Sequence, residues 1–450
     1  MLQFSYMKIL LITVSARGHA IAEAIKKSRH NPEIIHVCNS RNPGIKKIAD
    51  EQIVVDSLMD FDPILEIAKR TKPDFAIVAP DDPIGAGLVD ALEEIGVKSM
   101  APKKSLARIE SSKSFTRDLV EKYGIDGNPK FKVFDKSSSE EEIRRYIEDD
   151  LDGEYVVKFD GLAGGKGVKV SGEHLMSAEE GVFFALKCLA GANQVVVEEK
   201  FVGSEFSLMS FVSGEQVVSM PAVQDHKRAY EGDTGPNTGG MGTYSSADHS
   251  LPFLKQEEID KAHSINVQTA KALQEECGEP FKGILYGGFI VTKSGVKLIE
   301  YNARFGDPEC LNVLPLLETD FVDICQAIIN GDLNEDMVKF SSKATVCLYI
   351  TPECYPNSKD LKGKTVEFPD IEDNARIFYG DLSEDDDGAL RLGGSRTAGI
   401  VGIGDTTSEA QKIALDLCEQ AKGPVRFRKD IGTESLIAKR IELMKELRSN

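Results

Sequence analysis

The sequence predicts an α/β protein of about three domains, which opens with a doubly wound parallel sheet and continues into smaller α+β units. The chain has 450 residues, whereas one domain typically has about 100–200. Apolar runs alternate with helical spacing over the N-terminal part, and this alternation indicates a parallel sheet with helices on both faces. After Ser111 the alternation ends, and short strands gather around glycine-rich turns. These observations place the parallel sheet first and the mixed domains after it.

The N-terminal domain is predicted over residues 7–103. Its strands are the apolar runs Lys8–Val14, Ile34–Cys38 and Phe75–Ala79. Its helices are the segments with helical spacing, Gly18–Lys27, Pro63–Arg70 and Leu88–Ile95. Because Met7 directly precedes the first strand, we expect residues 1–6 to be a dispensable extension.

A second domain is predicted over residues 104–330, with a small α+β subdomain at about 115–200. Its predicted helices are Ser111–Tyr123, Ser139–Asp149, Ala178–Leu189, Lys255–Glu276 and Asp323–Ile329. Its predicted strands are Lys130–Phe134, Tyr155–Phe159, Gln194–Glu199 and the hairpin Gly287–Val291 with Val296–Asn302. The third domain, residues 336–450, is predicted to combine strands with two helices. They are the strands Lys343–Ile350, Arg376–Tyr379 and Gly399–Ile403, and the helices Ser408–Lys422 and Ser435–Leu447.

Composition excludes several classes of protein. The net charge is −19, which repels nucleic acid and anionic membranes, so neither is an expected partner. No apolar run approaches the roughly 20 residues that span a bilayer. The eight cysteines are scattered and never form C-x-x-C, which predicts reduced thiols and a cytoplasmic location. A membrane protein, a disulfide scaffold and a zinc finger are therefore not expected.

A glycine-rich turn between two predicted strands is the first segment that carries chemistry. Gly161–Gly167 holds four glycines, with Lys158 before it and Lys166 within it. Glycines let successive backbone N–H groups converge on one anion. The spacing fits neither the Walker A loop nor the G-x-G-x-x-G fingerprint. Two interpretations stay open at this point, a phosphate-binding turn and a surface hairpin with a loose tip.

Two further segments suggest ligand binding. Glu300 and Asn302 lie two apart at a strand end, so their side chains share one face and offer the hard oxygens that Mg²⁺ prefers. The alternative is a solvated strand end. Gln224–Gly242 packs charged side chains and five glycines into one polar loop, which favours a binding loop over a structural one. The seven histidines show no i,i+3 or i,i+4 pair, so no histidine metal site is predicted.

Together these segments resemble the phosphoribosylamine–glycine ligase (glycinamide ribonucleotide synthetase) family of ATP-grasp enzymes, in an archaeal-type form. The resemblance runs from Met7 over nearly the whole chain. It is carried by the stretches Ala79–Ile84, Lys158–Val168, Gln224–Tyr244, Glu300–Glu309 and Phe427–Gly432. It implies a central ATP-grasp domain, whose lid is the small subdomain at 115–200, between the parallel-sheet domain and the C-terminal α+β domain.

The resemblance also implies an activity. It is the ATP-dependent ligation of glycine to 5-phosphoribosylamine, through glycyl phosphate, which yields glycinamide ribonucleotide, ADP and phosphate for purine biosynthesis. Mg²⁺ or Mn²⁺ would assist ATP, and the enzyme would act as a monomer or weak homodimer. Another ATP-grasp ligase with a different acceptor, a dinucleotide-binding dehydrogenase and a non-catalytic relative are the alternatives. A dehydrogenase is disfavoured because G-x-G-x-x-G is missing.

Residue roles follow from the same resemblance. The implied ATP-binding residues are Lys113, Lys158, Gly161, Gly164, Gly165, Lys166, Gly167, Glu198, Glu199, Phe201 and Glu205. The implied metal ligands are Glu300 and Asn302. The implied substrate-binding residues are Arg17, His19, Asp225, Lys227, Asp233, Thr238, Gly239, Gly240 and Asp307. Four residues are expected to act in catalysis, namely Arg304, Lys158, Lys227 and Asp225.

Two positions depart from the family pattern. The first loop, Thr13–Ala20, lacks the two leading glycines that the family favours, although Arg17 and His19 remain. Gly288 stands where we expect some archaeal relatives to carry a glutamine metal ligand. The sequence therefore predicts phosphate binding by the first loop chiefly through Arg17, and no metal ligand from position 288.

Overall fold

The computed structural model describes residues 7–164 and 167–449, and its N-terminal part is the predicted parallel sheet. The strands are β1 (Lys8–Ile12), β2 (Glu33–Cys38), β3 (Glu51–Val54) and β4 (Phe75–Val78), paired in parallel in the order β3-β2-β1-β4. The helices are α1 (Ser15–Lys26), α2 (Pro43–Ile48), α3 (Phe61–Thr71), α4 (Asp81–Ala86) and α5 (Leu88–Glu94). The predicted strands and helices are confirmed, while β3, α2 and α4 were not predicted. The predicted extension, residues 1–6, lies outside the described residues.

Two helices, α6 (Lys104–Ser111) and α7 (Lys113–Lys122), lead into a small α+β unit. Its antiparallel sheet has the order β5-β8-β6-β7, with β5 (Phe131–Asp135), β6 (Tyr155–Phe159), β7 (Val168–Val170) and β8 (Gln194–Glu199). Its helices are α8 (Glu140–Arg145), continued by a π-helical turn over Tyr146–Asp150, and α9 (Ala178–Gly191). This unit buries its own apolar cluster, drawn from residues 134–197. The predicted strands of this region are confirmed.

An antiparallel sheet of four strands forms the centre of the molecule, in the order β10-β9-β15-β16. Its members are β9 (Ser204–Ser213), β10 (Gln216–Ser219), β15 (Lys282–Thr292) and β16 (Gly295–Asn302). The helices of this region are α10 (Gln256–Cys277), α11 (Glu309–Val313) and α12 (Phe321–Asn330). The predicted hairpin and the long helix are confirmed.

Strand β9 was not predicted, because it shows no alternation of apolar and polar residues. Nine of its ten residues are buried, four of them serines. A strand buried on both faces needs its polar groups satisfied internally. The hydroxyl of Ser207 donates to the carbonyl of Val223, and that of Ser213 donates to the carbonyl of Ile328. Ser207 and Ser213 are therefore compatible with the core, whereas the buried hydroxyl of Ser204 has no hydrogen-bond partner among the described residues.

The polar segment Gln224–Gly242, predicted as one loop, contains short strands instead. β11 (Gln224–Asp225) pairs with β14 (Gly242–Ser245), and β12 (Arg228–Tyr230) pairs with β13 (Thr234–Asn237) as a hairpin. β14 also pairs with β17 (Ala344–Pro352), so this segment joins the C-terminal sheet. The expectation of one continuous loop did not include these strands, because β12 and β13 are short and polar and because β14 pairs with β17, which lies far away in the chain.

The C-terminal part confirms the predicted α+β arrangement. Its main sheet has the order β11-β14-β17-β22-β19, with β19 (Ala375–Tyr379) and β22 (Ala398–Gly404). Shorter strands are β18 (Thr365–Val366), β20 (Leu382–Glu384), β21 (Leu390–Leu392) and β23 (Val425–Arg426). The helices are α13 (Thr407–Cys418) and α14 (Glu434–Ser449). No helix among the described residues combines the length and apolarity that a bilayer crossing needs.

His19 joins the N-terminal helix α1 to the C-terminal strand β19. Its ring is 5 % exposed, its Nδ1 accepts the backbone N–H of Tyr379 at 2.9 Å, and it packs edge-on against Phe378. Burial lowers the pKa of His19 to about 3. The ring is therefore neutral in the folded protein and serves as a contact between domains.

We expect His19 to cause part of the acid sensitivity of the fold. The pKa of His19 is near 6.5 in the unfolded chain and about 3 in the folded chain, so stability is full above pH 6.5 and falls as the pH drops toward 3. At pH 5 the loss is about 2 kcal/mol. Urea unfolding of the wild type and of His19→Asn between pH 8 and 4 checks this. The variant keeps a hydrogen-bond acceptor that does not titrate, so its free energy of unfolding should fall less as the pH drops. Parallel stability curves for the two proteins would contradict it.

A second prediction concerns the packing of α13 on β22. A Cβ atom at Gly402 would lie 2.0 Å from the carbonyl oxygen of Ala410 in the helix backbone. We expect Gly402→Ala to lower the free energy of unfolding by about 1–3 kcal/mol, because the backbone must move apart. Gly394→Ala is the matched control, since nothing lies within 4 Å of a Cβ there. Urea unfolding followed by circular dichroism measures both, and equal shifts would count against the packing argument.

Candidate active site

A cavity of about 460 Å³ lies where the parallel sheet, the small α+β unit, the central sheet and the C-terminal sheet meet. Most of the residues singled out in the sequence line it. They are Arg17, Lys113, Lys158, Gly164, Gly167, Glu198, Glu199, Phe201, Glu205, Asp225, Lys227, Thr238, Gly239, Glu300, Asn302, Arg304 and Asp307. Segments far apart in the chain therefore converge on one cleft.

A buried ion cluster forms one wall of the cavity. The ammonium of Lys158 lies 2.5 Å from the carboxylate of Glu198, and Arg117 grips that carboxylate through Nε at 2.8 Å and Nη2 at 3.0 Å. Lys158 also donates to the carbonyl of Ile299 at 2.7 Å. Burial lowers the pKa of Lys158, whereas Arg117 and Lys158 together lower that of Glu198 against the effect of burial. The carboxylate of Glu198 is thus committed to holding two cations in place.

The glycine-rich turn is anchored to the first turn of α7. Lys113 Nζ donates to the carbonyl of Gly161 at 2.9 Å, and the carboxylate of Asp160 accepts the backbone N–H of Ser114 at 3.1 Å. Both hydrogen bonds lie at the start of the turn. Further along, a Cβ atom at Gly164 would meet nothing within 4 Å, so this part of the turn is not packed against other residues. Gly165 and Lys166, also predicted to bind ATP, lie outside the described residues.

Apolar side chains line the part of the cavity between the small unit and the central sheet. They are Val156, Val168, Val170, Phe201, Ile290 and Ile299. Glu199 at the end of β8 and Phe201 just after it lie here, and Glu205 of β9 also lines the cavity. An apolar slot with polar groups at its rim suits a flat ring carrying a polar tail.

Glu300 is the candidate metal ligand with the clearest geometry. Among the described residues, its carboxylate makes no hydrogen bond and no ion pair within 4 Å. Burial opposes its ionisation, but Lys227 and Lys158 outweigh burial and lower its pKa. Asn302 lies on the same strand face and its Oδ1 receives a 3.3 Å contact from Arg304. An ionised carboxylate beside an amide oxygen fits a hard divalent cation.

Gly288 lies directly opposite Glu300 in the pairing of β15 with β16. A Cβ at this position would be 3.4 Å from Cγ of Glu300. A side chain here would therefore reach the candidate metal site, and glycine supplies none. That position 288 provides no ligand follows from its being glycine. The strand pairing adds that this position lies beside the candidate metal site.

Two guanidinium groups face the cavity from opposite domains. Arg304 pairs with Glu110 at 2.8 Å, and Arg17 donates to the carbonyl of Ala79 at 3.1 Å. Burial and the neighbouring charge of Arg304 lower the pKa of Arg17. Within the described residues, the buried Nε atoms of both arginines have no hydrogen-bond partner. Two mutually repelling cations with unused donors favour an anion between them.

Asp225, the last residue of β11, and Lys227, two residues later, both line the cavity. Burial, and then the negative charge of Glu309, raise the pKa of Asp225 well above its usual value. The pKa of Lys227 is raised because Glu205 and Glu300 outweigh the effect of its burial. The ammonium of Lys227 lies 3.7 Å from Glu205. The raised pKa makes a carboxylate at Asp225 a stronger base than an exposed aspartate, whereas Lys227 stays a cation.

Asp307 connects three parts of the chain at the rear of the cavity. Its carboxylate accepts hydrogen bonds from the hydroxyl of Tyr349 at 2.8 Å and from the backbone N–H of Arg17 at 3.3 Å. Arg396 pairs with it at 3.2 Å and donates to the carbonyl of Gly239 at 2.6 Å. The predicted role of Asp307 as a direct substrate ligand competes with these contacts.

Two predicted substrate residues do not reach the cavity. His19 is held between domains, as described above, and its ring points at Phe378. Asp233 lies at the tip of the β12–β13 hairpin, where Arg428 and Arg440 neutralise it. Gly161 and Gly240 lie beside the cavity without lining it, and the carbonyl of Gly240 accepts from Arg396 at 3.2 Å. His19 and Asp233 are therefore left out of the site that we propose.

Sequence reasoning missed several charged groups that face the cavity. They are Asp81, Glu110, Arg117, Glu309 and Arg396. Asp81 and Glu309 lie within stretches that carried the family resemblance, which is a usable signal. Glu110 and Arg117 sit in ordinary amphipathic helices, and no local pattern marks them.

Comparison with known proteins agrees with this architecture. The chain matches the domains described for phosphoribosylglycinamide synthetase, with the N domain over residues 7–110, the ATP-grasp (A) domain over 111–310 and the C domain over 345–434. A phosphoribosylamine–glycine ligase from Methanosarcina barkeri is 47 % identical over 442 residues, covering 98 % of this chain and all of the relative. The corresponding protein of Methanocaldococcus jannaschii is 44 % identical over 449 residues, with coverage of 98 % and 100 %.

Solved structures resemble the whole molecule. The crystal structure of phosphoribosylamine–glycine ligase from Thermotoga maritima superposes with a TM-score of 0.78 at 27 % identity, covering 94 % of this chain and 100 % of that one. A biotin carboxylase domain from Hydrogenobacter thermophilus shares the fold at 15 % identity, with a TM-score of 0.72 and coverage of 97 % and 93 %. By its three matched domains and its full-length relatives, the chain belongs to the phosphoribosylglycinamide synthetase family of ATP-grasp enzymes.

Proposed function

We propose that the cavity ligates glycine to 5-phosphoribosylamine with ATP, yielding glycinamide ribonucleotide, ADP and phosphate. The observation that carries the assignment of chemistry is the convergence of three charged parts on one cleft. They are the Lys158 cluster beside the glycine-rich turn, the Glu300–Asn302 pair, and the Arg17–Arg304 pair. Family membership supports the choice of substrates.

ATP is proposed to lie along the wall formed by the small α+β unit. The apolar slot with Phe201 would take the adenine, and Glu205 would accept from the ribose hydroxyls. Lys113 and Lys158 would face the phosphates, because both ammonium groups line the cavity beside the glycine-rich turn. Positive charge placed there in advance stabilises the phosphoryl group during transfer without further reorganisation.

A divalent cation, Mg²⁺ or Mn²⁺, fits Glu300 and Asn302 by the chemistry of their oxygens. When bound it would screen the negative charge of the triphosphate. The protein's own part is to keep Glu300 ionised, which Lys227 and Lys158 do against the effect of burial.

The first step is attack of the glycine carboxylate on the γ-phosphorus of ATP, which forms glycyl phosphate and releases ADP. Arg304 would neutralise the carboxylate and then the acyl phosphate. Its charge is secured by Glu110 at 2.8 Å, although the side chain is mostly buried. Holding two anions at reacting distance is the main requirement of this step.

The second step is attack of the 1-amino group of phosphoribosylamine on the carbonyl carbon of glycyl phosphate. The C–N bond forms, the C–O bond to phosphate breaks, and the amine loses a proton. Asp225 would accept that proton, because burial and Glu309 raise its pKa and make its carboxylate a competent base. Lys227 would stabilise the departing phosphate. The glycine-rich turn would exclude water from the labile acyl phosphate.

The reaction itself is tested by ADP release in a coupled assay. We expect release that requires both glycine and freshly generated phosphoribosylamine. Release with glycine and a different amine acceptor would favour another ATP-grasp ligase. No release under any of these conditions would favour a non-catalytic relative. The cytoplasmic location and the monomeric or weakly dimeric state remain proposals, and gel filtration tests the latter.

Glu300→Gln should lower kcat/KM by more than about 100-fold while leaving the fold intact. The change removes the anionic ligand proposed for the cation, and even residues that merely support metal ligands contribute about 10–100-fold. Steady-state rates over a titration of Mg²⁺ measure this. Glu231→Gln, at an exposed carboxylate outside the cavity, is the control. Activity within about threefold of wild type at saturating Mg²⁺ would remove Glu300 from the metal site.

Arg17→Ala should raise the KM for phosphoribosylamine at least about tenfold, or roughly 1.4 kcal/mol. The reason is that Arg17 faces Arg304 across the cavity with its Nε unpaired among the described residues. The KM values for ATP and glycine should change little. Varying each substrate in turn checks this, and an equal rise for all three would move the phosphate site elsewhere.

A further inference from the structure

The β12–β13 hairpin carries two of the proposed substrate residues at its base. Thr238 donates to the carbonyl of Lys227 through its backbone N–H at 2.8 Å and through its hydroxyl at 2.9 Å. Arg396 holds the next residue by donating to the carbonyl of Gly239. At the base of the hairpin, Lys227 and Thr238 are therefore joined by two hydrogen bonds, and both residues line the cavity.

The hairpin itself buries little apolar surface. All four residues of β13 are exposed, and in β12 the side chain of Ala229 is the buried one. Apolar burial contributes about 25 cal/mol per Å². The small apolar area that the hairpin buries is therefore not enough to hold it in one position. Its position must depend on polar contacts.

Charged side chains from the C-terminal part supply those contacts at the hairpin tip. Arg428, with its side chain 1 % exposed, donates to Asp233 at 2.9 Å and to the carbonyl of Arg228 at 3.1 Å. Arg440 of α14 also pairs with Asp233. Asp430 accepts two bonds from Arg428, at 2.9 and 2.6 Å, and one from the backbone N–H of Gly232 at 2.9 Å.

Further contacts hold β12, the first strand of the hairpin. The guanidinium of Arg426 donates to the carbonyl of Ala229 at 2.7 Å and lies 4.8 Å from the centre of the Tyr230 ring. Asp233 has a positive φ of 58°, a conformation that a non-glycine residue adopts rarely and that fixed surroundings must maintain. Side chains from residues 426–440 thus hold both the tip of the hairpin and strand β12.

We propose that Asp233 and Arg428 are positioning residues, whose ion pair sets the hairpin so that Lys227 and Thr238 face the phosphoribosylamine site. This inference rests on the proposed function for the identity of that substrate. Asp233 does not reach the cavity, so it acts through the hairpin alone. The C-terminal part thereby contributes to substrate binding without touching the substrate.

Asp233→Asn is the decisive variant. It removes one carboxylate charge while Arg428 keeps its two bonds to Asp430, and the amide oxygen of Asn can still accept a hydrogen bond from the partly exposed guanidinium of Arg440. Glu231→Gln is the matched control, because this exposed carboxylate is in the same tip and makes a single 3.4 Å contact with the backbone N–H of Lys429. Asp233→Glu restores the charge.

Two measurements on the full-length protein separate positioning from general stability. Hydrogen exchange should become about tenfold faster at the amide of Thr238 in Asp233→Asn, and stay unchanged in Glu231→Gln. The KM for phosphoribosylamine should rise about fivefold or more with little change in the KM for ATP, and Asp233→Glu should recover most of the loss.

Exchange needs no substrate, so its result is independent of whether the proposed function holds. Unchanged exchange in Asp233→Asn, or equal acceleration in Glu231→Gln, would overturn the positioning role. Faster exchange with an unchanged KM for phosphoribosylamine, or with equal rises for every substrate, would also overturn it. A wild-type enzyme that ignored phosphoribosylamine would instead refute the proposed function.

Discussion

The buried carboxylate of Asp307 is the interaction on which the cleft depends. It accepts hydrogen bonds from the backbone N–H of Arg17 in α1 and from the hydroxyl of Tyr349, and it forms an ion pair with Arg396. Burial opposes its charge, yet Arg396 and Arg17 lower its pKa, so the carboxylate stays ionised and keeps its partners. One charged group thereby holds the N-terminal, central and C-terminal parts in one register.

Local charge, not net charge, defines what this cleft can bind. The chain carries a net charge of −19, but lysine and arginine side chains converge on the cavity wall. Each is held by a fixed acceptor, as Lys158 is by Glu198 and Arg304 by Glu110. Cations fixed by buried carboxylates cannot move away from one another, so they retain their attraction for anionic substrates.

Residues of the family motifs divide into those that face the cavity and those that place them. Lys227 and Asp233 belong to one polar segment, but only Lys227 lines the cleft. Arg17 and His19 share one loop and helix start, yet His19 contacts β19 and Arg17 enters the cavity. A shared motif therefore indicates shared importance, while the direction of each side chain decides its role.

The parallel N-terminal sheet, the small α+β unit, the hairpin ending in Glu300–Asn302 and most of the residues proposed here to bind substrates were predictable from the sequence. These features depend on local sequence patterns, namely the period of the hydrophobic residues, the glycine content and the i,i+2 spacing of polar residues on a strand. They also depend on motifs that occupy short continuous stretches. Local signals of this kind are readable without knowledge of the neighbours in space.

The strands β9 and β14, the roles of Glu110, Arg117 and Arg396, and the placement of His19 and Asp233 outside the cavity became apparent only in the tertiary structure. The strands form because distant segments pair with them, as β14 does with β17. The charged side chains gain their roles from partners far away in the chain: Arg117 donates to the carbonyl of Ile299, 182 residues away, and Glu110 accepts the backbone N–H of Ala303, 193 residues away. Burial and long-range pairing set these properties, and neither is encoded in a local stretch of residues.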